Sequence, residues 1–264
     1  MQSRFQVARS LALQAGALLR EGLTHSKDIN HKGAIDLVTQ YDLLSEALIV
    51  DGLRHAFPQD SVLAEEGGGD QSSRGTWLVD PLDGTTNFAH GIPFFAISIA
   101  YQQGEDIQLA LVYDPMRQEL FHARRGQGAW LNERRLHVSS TVDLGEALLA
   151  TGFPYDMRTH PENNLKHFAA FALRSRGIRR LGAASLDLAY VAAGRFDGYW
   201  ELRLWPWDWA AGILLVREAG GMVTRADGGE DIFAQPTSIL ASNGLLHEAM
   251  LRVLAGREPQ PSQG

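Results

Sequence analysis

The apolar positions of this chain fall into three successive rhythms. At the start, Phe5, Ala8, Leu11, Ala12, Ala15, Leu18 and Leu19 recur at three- and four-residue intervals. That spacing marks one face of a helix over residues 3–22. A second helix is expected from Thr39, a capping residue, through about Ala56, ending near Pro58. The apolar runs then shorten. SVLAEE (61–66) and WLV (77–79) read as strands. Segments 94–103, 106–115, 119–125 and 129–138 are separated by Gln103-Gly104, Asp114-Pro115, Gly126 and Gly128. Such a series predicts an antiparallel meander.

Beyond the polar stretch 139–147 the third rhythm begins. Strands at 147–153, 177–181, 198–202, 221–225 and 238–242 are interleaved with helices at about 162–175, 184–194, 206–219 and 244–255. This predicts an α/β half with a largely parallel sheet. The expected organisation is an N-terminal α+β half over 1–142 and a C-terminal α/β half over 143–256. The tail 257–264, REPQPSQG, is expected to be disordered.

Composition narrows the function classes. The chain has 264 residues, 45% of them hydrophobic, enough for a sizeable core. Net charge is 24 − 31 = −7, which argues against nonspecific nucleic-acid binding. There is no cysteine, so disulfides and thiolate metal sites are excluded. The N-terminus lacks a signal-peptide layout, and no apolar run approaches the roughly 20 residues that cross a membrane. A soluble cytoplasmic protein is the expectation.

The chemistry concentrates in VDPLDGTTNF (79–88). An apolar run stops at Asp80, and Pro81 to Gly84 read as a tight turn. Thr85 is expected to cap a short helix. Asp80 and Asp83, three residues apart on a turn, would point into one small volume, and such oxygen ligands suit hard divalent cations. The amides of Gly84, Thr85 and Thr86 would receive phosphate oxygens. An ordinary Asp-Gly hairpin would explain Asp83-Gly84 but not Asp80 or the threonine pair. Elsewhere, one of Glu65 and Glu66 would face the site and the other away, because successive strand residues alternate. Asp42 would suit the dipole of its helix. Asp208 lies between Trp207 and Trp209, whose bulk would bury a carboxylate that then needs a cation or hydrogen bonds. Asp187 and Asp197 read as helix and turn residues without a site role, and the nine histidines are scattered.

DPLDGTTNF resembles the central motif of the inositol monophosphatase family, magnesium-dependent, lithium-sensitive sugar phosphatases. Further motifs follow the same family in order. Asp36, Val38, Thr39 and Asp42 match DLVTxxD, Glu65-Glu66 match its acidic pair, and Trp207, Asp208, Ala210, Ala211 and Gly212 match WDxAAG. Lys32 falls where the family has a loop lysine. LDLAYVAAG and ATGFP look like the bacterial branch.

The resemblance implies a layered αβαβα sandwich, usually homodimeric, antiparallel in the first half and mixed, largely parallel in the second. It implies two or three Mg2+ ions held by Glu65, Asp80, the Leu82 carbonyl, Asp83 and Asp208. It implies catalysis by Glu65 and Thr85, with Asp42 orienting the threonine, and hydrolysis by a metal-activated water. Substrate contacts are implied at Asp83, Gly84, Thr85, Thr86, Gly182, Ala183, Ala184 and Glu201. Inositol monophosphate is the expected substrate. Fructose 1,6-bisphosphate, histidinol phosphate and a phosphoadenosine nucleotide remain alternatives. So does a second role with the bacterial transcription machinery, with which some relatives associate. A calcium-binding structural domain is disfavoured, because the acids come from separated segments.

Overall fold

Strand alternation sorts the core into three apolar clusters, and these define the layers. The structure, a computed structural model, describes residues 1–25, 29–31, 37–69, 74–233 and 235–257. The expectations for Lys32, Asp36 and the tail from 258 onward lie outside those residues. The chain opens with α1 (Gln2–Leu23), a two-stranded antiparallel ribbon of β1 (Ile29–His31) and β2 (Leu37–Thr39), and α2 (Gln40–Ala56). A seven-stranded sheet follows, in sequential order: β3 (Ser61–Ala64), β4 (Thr76–Asp83), β5 (Ala96–Gln103), β6 (Asp106–Asp114), β7 (Glu119–Arg124), β8 (Ala129–Leu131) and β9 (Arg134–Arg135). β3 and β4 pair in parallel, and every later neighbour is antiparallel. The short α3 (Thr85–Ala89) sits between β4 and β5.

The second sheet collects β10 (Leu148–Thr151), β11 (Gly177–Arg179), β12 (Gly198–Leu204), β13 (Met222–Thr224) and β14 (Thr237–Ser242) in the order β11-β10-β12-β14-β13. Both neighbours of β10 run parallel to it, whereas β14 is antiparallel to β12 and β13. Its helices are α4 (Leu165–Ala172), α5 (Ala184–Ala192), α6 (Pro206–Glu218) and α7 (His247–Leu254).

In β4, Trp77 and Val79 pack in one cluster with Leu19, Ile49 and Leu53 of α1 and α2. Leu78, one residue between them, packs on the opposite side with Leu188 of α5 and Leu215 of α6. In β12, Tyr199 joins that same central cluster, while Trp200 joins Phe171 of α4 and Met250 of α7. Period-two alternation in both sheets thus yields five layers: α1/α2, the first sheet, α5/α6, the second sheet and α4/α7. The expected αβαβα sandwich is the fold. The two middle helices meet sheet on both sides, so they are apolar nearly all round. They approach at Gly212, where an added Cβ would lie 2.4 Å from that of Leu188.

The structure corrects several local expectations. Thr85 is not the cap of α3. Gly84 occupies that position with φ 96°, a left-handed conformation suited to glycine, and Thr85 is the first helical residue. β4 does not end at Val79 but runs on to Asp83 through a pairing irregularity between Asp80 and Asp83. β3 ends at Ala64, so Glu65 and Glu66 lie in the turn that follows rather than alternating along a strand. Segment 129–138 breaks into β8 and β9 because Asn132, at φ 53°, turns the chain.

Candidate active site

The four acids of the site come from three places in the chain. Asp80 and Asp83 lie at the irregular end of β4, Glu65 in the turn after the neighbouring β3, and Asp208 in the first turn of α6. Pro206 supplies the first position of α6, where its missing N–H costs nothing. Asp208 Oδ2 accepts the Trp205 N–H at 2.7 Å. Asp80 Oδ1 accepts the Leu82 N–H at 3.0 Å. Burial pushes the Asp80 carboxyl well up, and the charges of Glu65, Asp83 and Asp208 push it further. Burial raises Asp208 too, reinforced by Glu65, Asp83 and Glu201 against the Trp205 N–H. Four carboxyls therefore share one low-dielectric field.

Asp83 is handled differently. Its Oδ1 accepts the Ala184 N–H at 3.1 Å, and its Oδ2 accepts the Ser185 N–H at 2.8 Å and the Ser185 hydroxyl at 2.5 Å. A side chain on β4 thus occupies the N-terminus of α5, about 100 residues away in sequence. The turn before α5 is tied down from the other side. Asn87 Nδ2 donates to the Phe94 carbonyl at 2.8 Å and to the Leu181 carbonyl at 2.7 Å. This brings Gly182, Ala183 and Ala184 against Gly84, whose Cβ position lies 3.3 Å from the Gly182 carbonyl oxygen.

Helix α2 supports the site from behind. Asp42 is fully buried and closes a capping box: its Oδ2 accepts the Thr39 N–H at 2.8 Å and the Thr39 hydroxyl at 2.6 Å. Its Oδ1 lies 2.8 Å from Thr85 Oγ1, which also stands 3.0 Å from the Leu82 carbonyl. Burial raises the Asp42 pKa against the pull of these hydrogen bonds. One turn on, the Ser45 hydroxyl donates to the Pro81 carbonyl at 2.8 Å, and Glu46 Oε2 accepts the Glu66 N–H at 2.8 Å. Residues i, i+3 and i+4 share a helix face, so one polar stripe of α2 holds three segments of the site.

Glu201 lies at the far side, on β12. It does not pair with Arg203, two residues further along the chain. Arg203 bonds Asp156 at 3.0 Å, and Glu201 accepts the Tyr199 phenol. Burial raises Glu201 to about 7, against the Tyr199 bond and the Arg180 charge. Gly152, in the ATGFP stretch, leaves room for this carboxylate, since an added Cβ would sit 2.1 Å from its oxygens.

Sequence reasoning missed several neighbours. Asp187 is buried, with Oδ1 unpartnered, and its pKa is raised well above the usual range by burial and then by Glu201 and Asp83. Its helical position concealed this. Arg180 is the cation that opposes the charges of Asp187 and Glu201, and its guanidinium lies 2.9 Å from a Cβ placed on Gly182. Ser45, Glu46, Asn87 and Ser185 carried no signal of their own, although Asn87 belongs to the DGTTNF run.

The donor chemistry is uniform: carboxylates and carbonyls, which suit a hard divalent cation. The strongest influences on Asp80 are burial and the other acids rather than a lysine or arginine. Among the described residues, no group of three or more acids and histidines stands as a ready-made ion cage. The hydrogen bonds above engage both oxygens of Asp83 and one each of Asp80 and Asp208. Each of Asp80 and Asp208 keeps a second oxygen outside these bonds.

A five-layer αβαβα fold with acids gathered at the end of β4 and the start of α6 defines a sugar-phosphatase-type protein. The chain belongs to the inositol monophosphatase family, whose sequence profile matches residues 1–257. It is 45% identical to Nus factor SuhB of Pseudomonas aeruginosa, with 98% of each chain covered. It is 44% identical to the chloroplastic phosphatase IMPL1 of Arabidopsis thaliana, covering 96% of this chain and 71% of that protein. Among solved structures, the inositol monophosphatase of Anabaena superposes with TM-score 0.89 at 42% identity, covering 98% of this chain and 97% of the other. No helix among the described residues is long and apolar enough to cross a membrane.

Proposed function

We propose that the protein is a Mg2+-dependent phosphate monoester hydrolase acting on inositol monophosphate. The observation that carries this is the meeting of four acids, Asp80 and Asp83 buried and Glu65 and Asp208 half-buried, with a threonine oriented by a fifth, Asp42. Glu65, Asp80, the Leu82 carbonyl, Asp83 and Asp208 would hold the ions. Bound there, divalent cations would stabilise phosphate charge and lower the pKa of the attacking water. Thr85 gives its one proton to Asp42, so its lone pairs face the water and orient it, together with Glu65. The amides of Gly84, Thr85 and Thr86 meet the phosphate oxygens. Ala183, Ala184 and Gly182 let the substrate approach backbone, and Glu201 accepts a hydroxyl.

The test is a panel of phosphate monoesters with Mg2+ and with chelator. Hydrolysis should require Mg2+ and fall with millimolar Li+. Mg2+ should also raise the melting temperature of chelated protein, since a ligand that binds only the folded state stabilises it. Full activity after exhaustive chelation would remove the metal mechanism. Insensitivity to Li+ alone would count against lithium inhibition and leave the rest.

Glu201 decides the substrate. A buried acid gains roughly 1.5–3 kcal/mol from a donor to its charged form, and polyol hydroxyls are such donors. Glu201→Gln should lower kcat/KM for inositol monophosphate by about 10–100-fold. Hydrolysis of p-nitrophenyl phosphate, which has no such donors, should hardly change. Equal losses on both substrates with a lower Tm would make Glu201 structural.

The relatives named Nus factor favour a second role with the transcription machinery. Retention of purified RNA polymerase on the immobilised protein, kept by Asp83→Asn, would support a role separate from hydrolysis. No retention would remove it. A cytoplasmic homodimer completes this reading; sedimentation of the full chain would test the dimer.

A further inference from the structure

A second concave site lies on the other side of the second sheet. Along β12, Tyr199 faces the α5/α6 layer and Trp200 faces the α4/α7 layer. Glu201 accordingly returns to the side of the acids, and Leu202 points away from them. Leu202 and Thr237 line a cleft of about 810 Å³ walled by α4, α7 and the segment after β13. That volume lies within the usual range of small-molecule sites, roughly 300–1,000 Å³.

The charge of this cleft runs against that of the chain. The protein carries −7 overall, yet the cleft is lined by Lys166, Arg203, Arg225, Arg252 and Arg257. Among the described lining residues its acids are Glu162, Asp227 and Glu248, and Arg203 is paired with Asp156 just outside, so the cations are in excess by 5 − 4 = 1. Arg225 reaches Asp227 at 3.3 Å and Arg252 reaches Glu248 at 3.4 Å, and in both pairs the acid is largely exposed. Exposed pairs of this kind contribute at most about 1 kcal/mol, so these arginines can turn to a stronger acceptor. Among the described residues the lining contains no phenylalanine, tyrosine or tryptophan on which a base could stack. What it offers is guanidinium forks, which bind phosphate oxygens in pairs.

We propose that this cleft is a second ligand site, separate from the acidic one, for a small molecule bearing two or more phosphate groups. Arg225 beyond β13, Arg252 of α7 and Lys166 of α4 all line it.

The test needs no catalysis, so its outcome is independent of the phosphatase reading. Inorganic tripolyphosphate is titrated calorimetrically into the full chain in chelator at low salt, where the acidic site repels anions. Saturable binding to one site is expected. It should weaken at least tenfold in Arg225→Ala/Arg252→Ala and in Lys166→Glu, and also on adding salt. Asp208→Asn and the distant pair Arg134→Ala/Arg135→Ala should bind as wild type does. Absence of saturable binding by wild type would overturn the proposal. So would equal affinities in the cleft variants, with folding checked by Tm, or a loss confined to Asp208→Asn.

Discussion

Asp83→Asn is expected to lower kcat by more than about 100-fold at ordinary Mg2+. Loss of a residue outside the ligand shell of a metal typically costs 10–100-fold, and Asp83 is proposed as a ligand itself. The structure adds a second consequence. Both Asp83 oxygens accept donors from the start of α5. An asparagine would place an NH2 against one of those donors, so part of the loss would come from a displaced α5. Loss of a helix cap costs about 0.5–2 kcal/mol, and for a protein of this size each kcal/mol lowers Tm by roughly 2–4 °C. Ser185→Ala separates the two effects, because it removes one donor to Asp83 and keeps the acid. It should lower Tm while retaining kcat within about tenfold. If Ser185→Ala loses as much activity as Asp83→Asn, Asp83 acts by capping α5 and not by binding metal.

Thr85→Ala should lower kcat by about 10²–10⁴-fold, the usual worth of proton-transfer assistance. The Mg2+ concentration needed for half activity should hardly move, because the Leu82 carbonyl and the acids remain. The change also strips Asp42 Oδ1 of its Thr85 partner in a fully buried setting. A buried acceptor left unsatisfied costs about 1–3 kcal/mol, so a lower Tm is expected as well. Thr85→Ser keeps the hydroxyl and should recover most of both losses. Recovery of Thr85→Ala by raising Mg2+ alone would show that the threonine acts through the ion.

The elements that local chemistry dictates were legible. Helix α1 follows from its apolar spacing, α2 from Thr39, and α6 from Pro206. The acids of the DPLDGTTNF and WDxAAG runs were found because those runs are long and specific. The strand ends were not legible. Nothing local distinguishes Val79 from Asp83 as the end of β4, since pairing with β5 resumes beyond the irregularity. Nor does a Thr-Thr pair reveal that Gly84 takes the cap in a left-handed conformation.

By itself, the pattern of apolar positions determined an antiparallel first half and an alternating strand-helix second half, because period-two and period-3.6 spacings say which faces must be buried; the five-layer sandwich followed from the resemblance of the motifs. The sequence also singled out the carboxylates of the DPLDGTTNF and WDxAAG runs, because those runs are long and specific. Only the tertiary structure decided what those carboxylates meet. The Asp42, Ser45 and Glu46 stripe looks like solvated helix surface until β4 and the turn after β3 pack on it. Asp187 reads as an ordinary helix acid until the two sheets enclose α5. Arg203 and Glu201 are two residues apart, yet a left-handed Arg203 and the bulge in β12 send one to Asp156 and the other to Tyr199. Burial and partner choice depend on segments tens of residues away, and no local pattern encodes them.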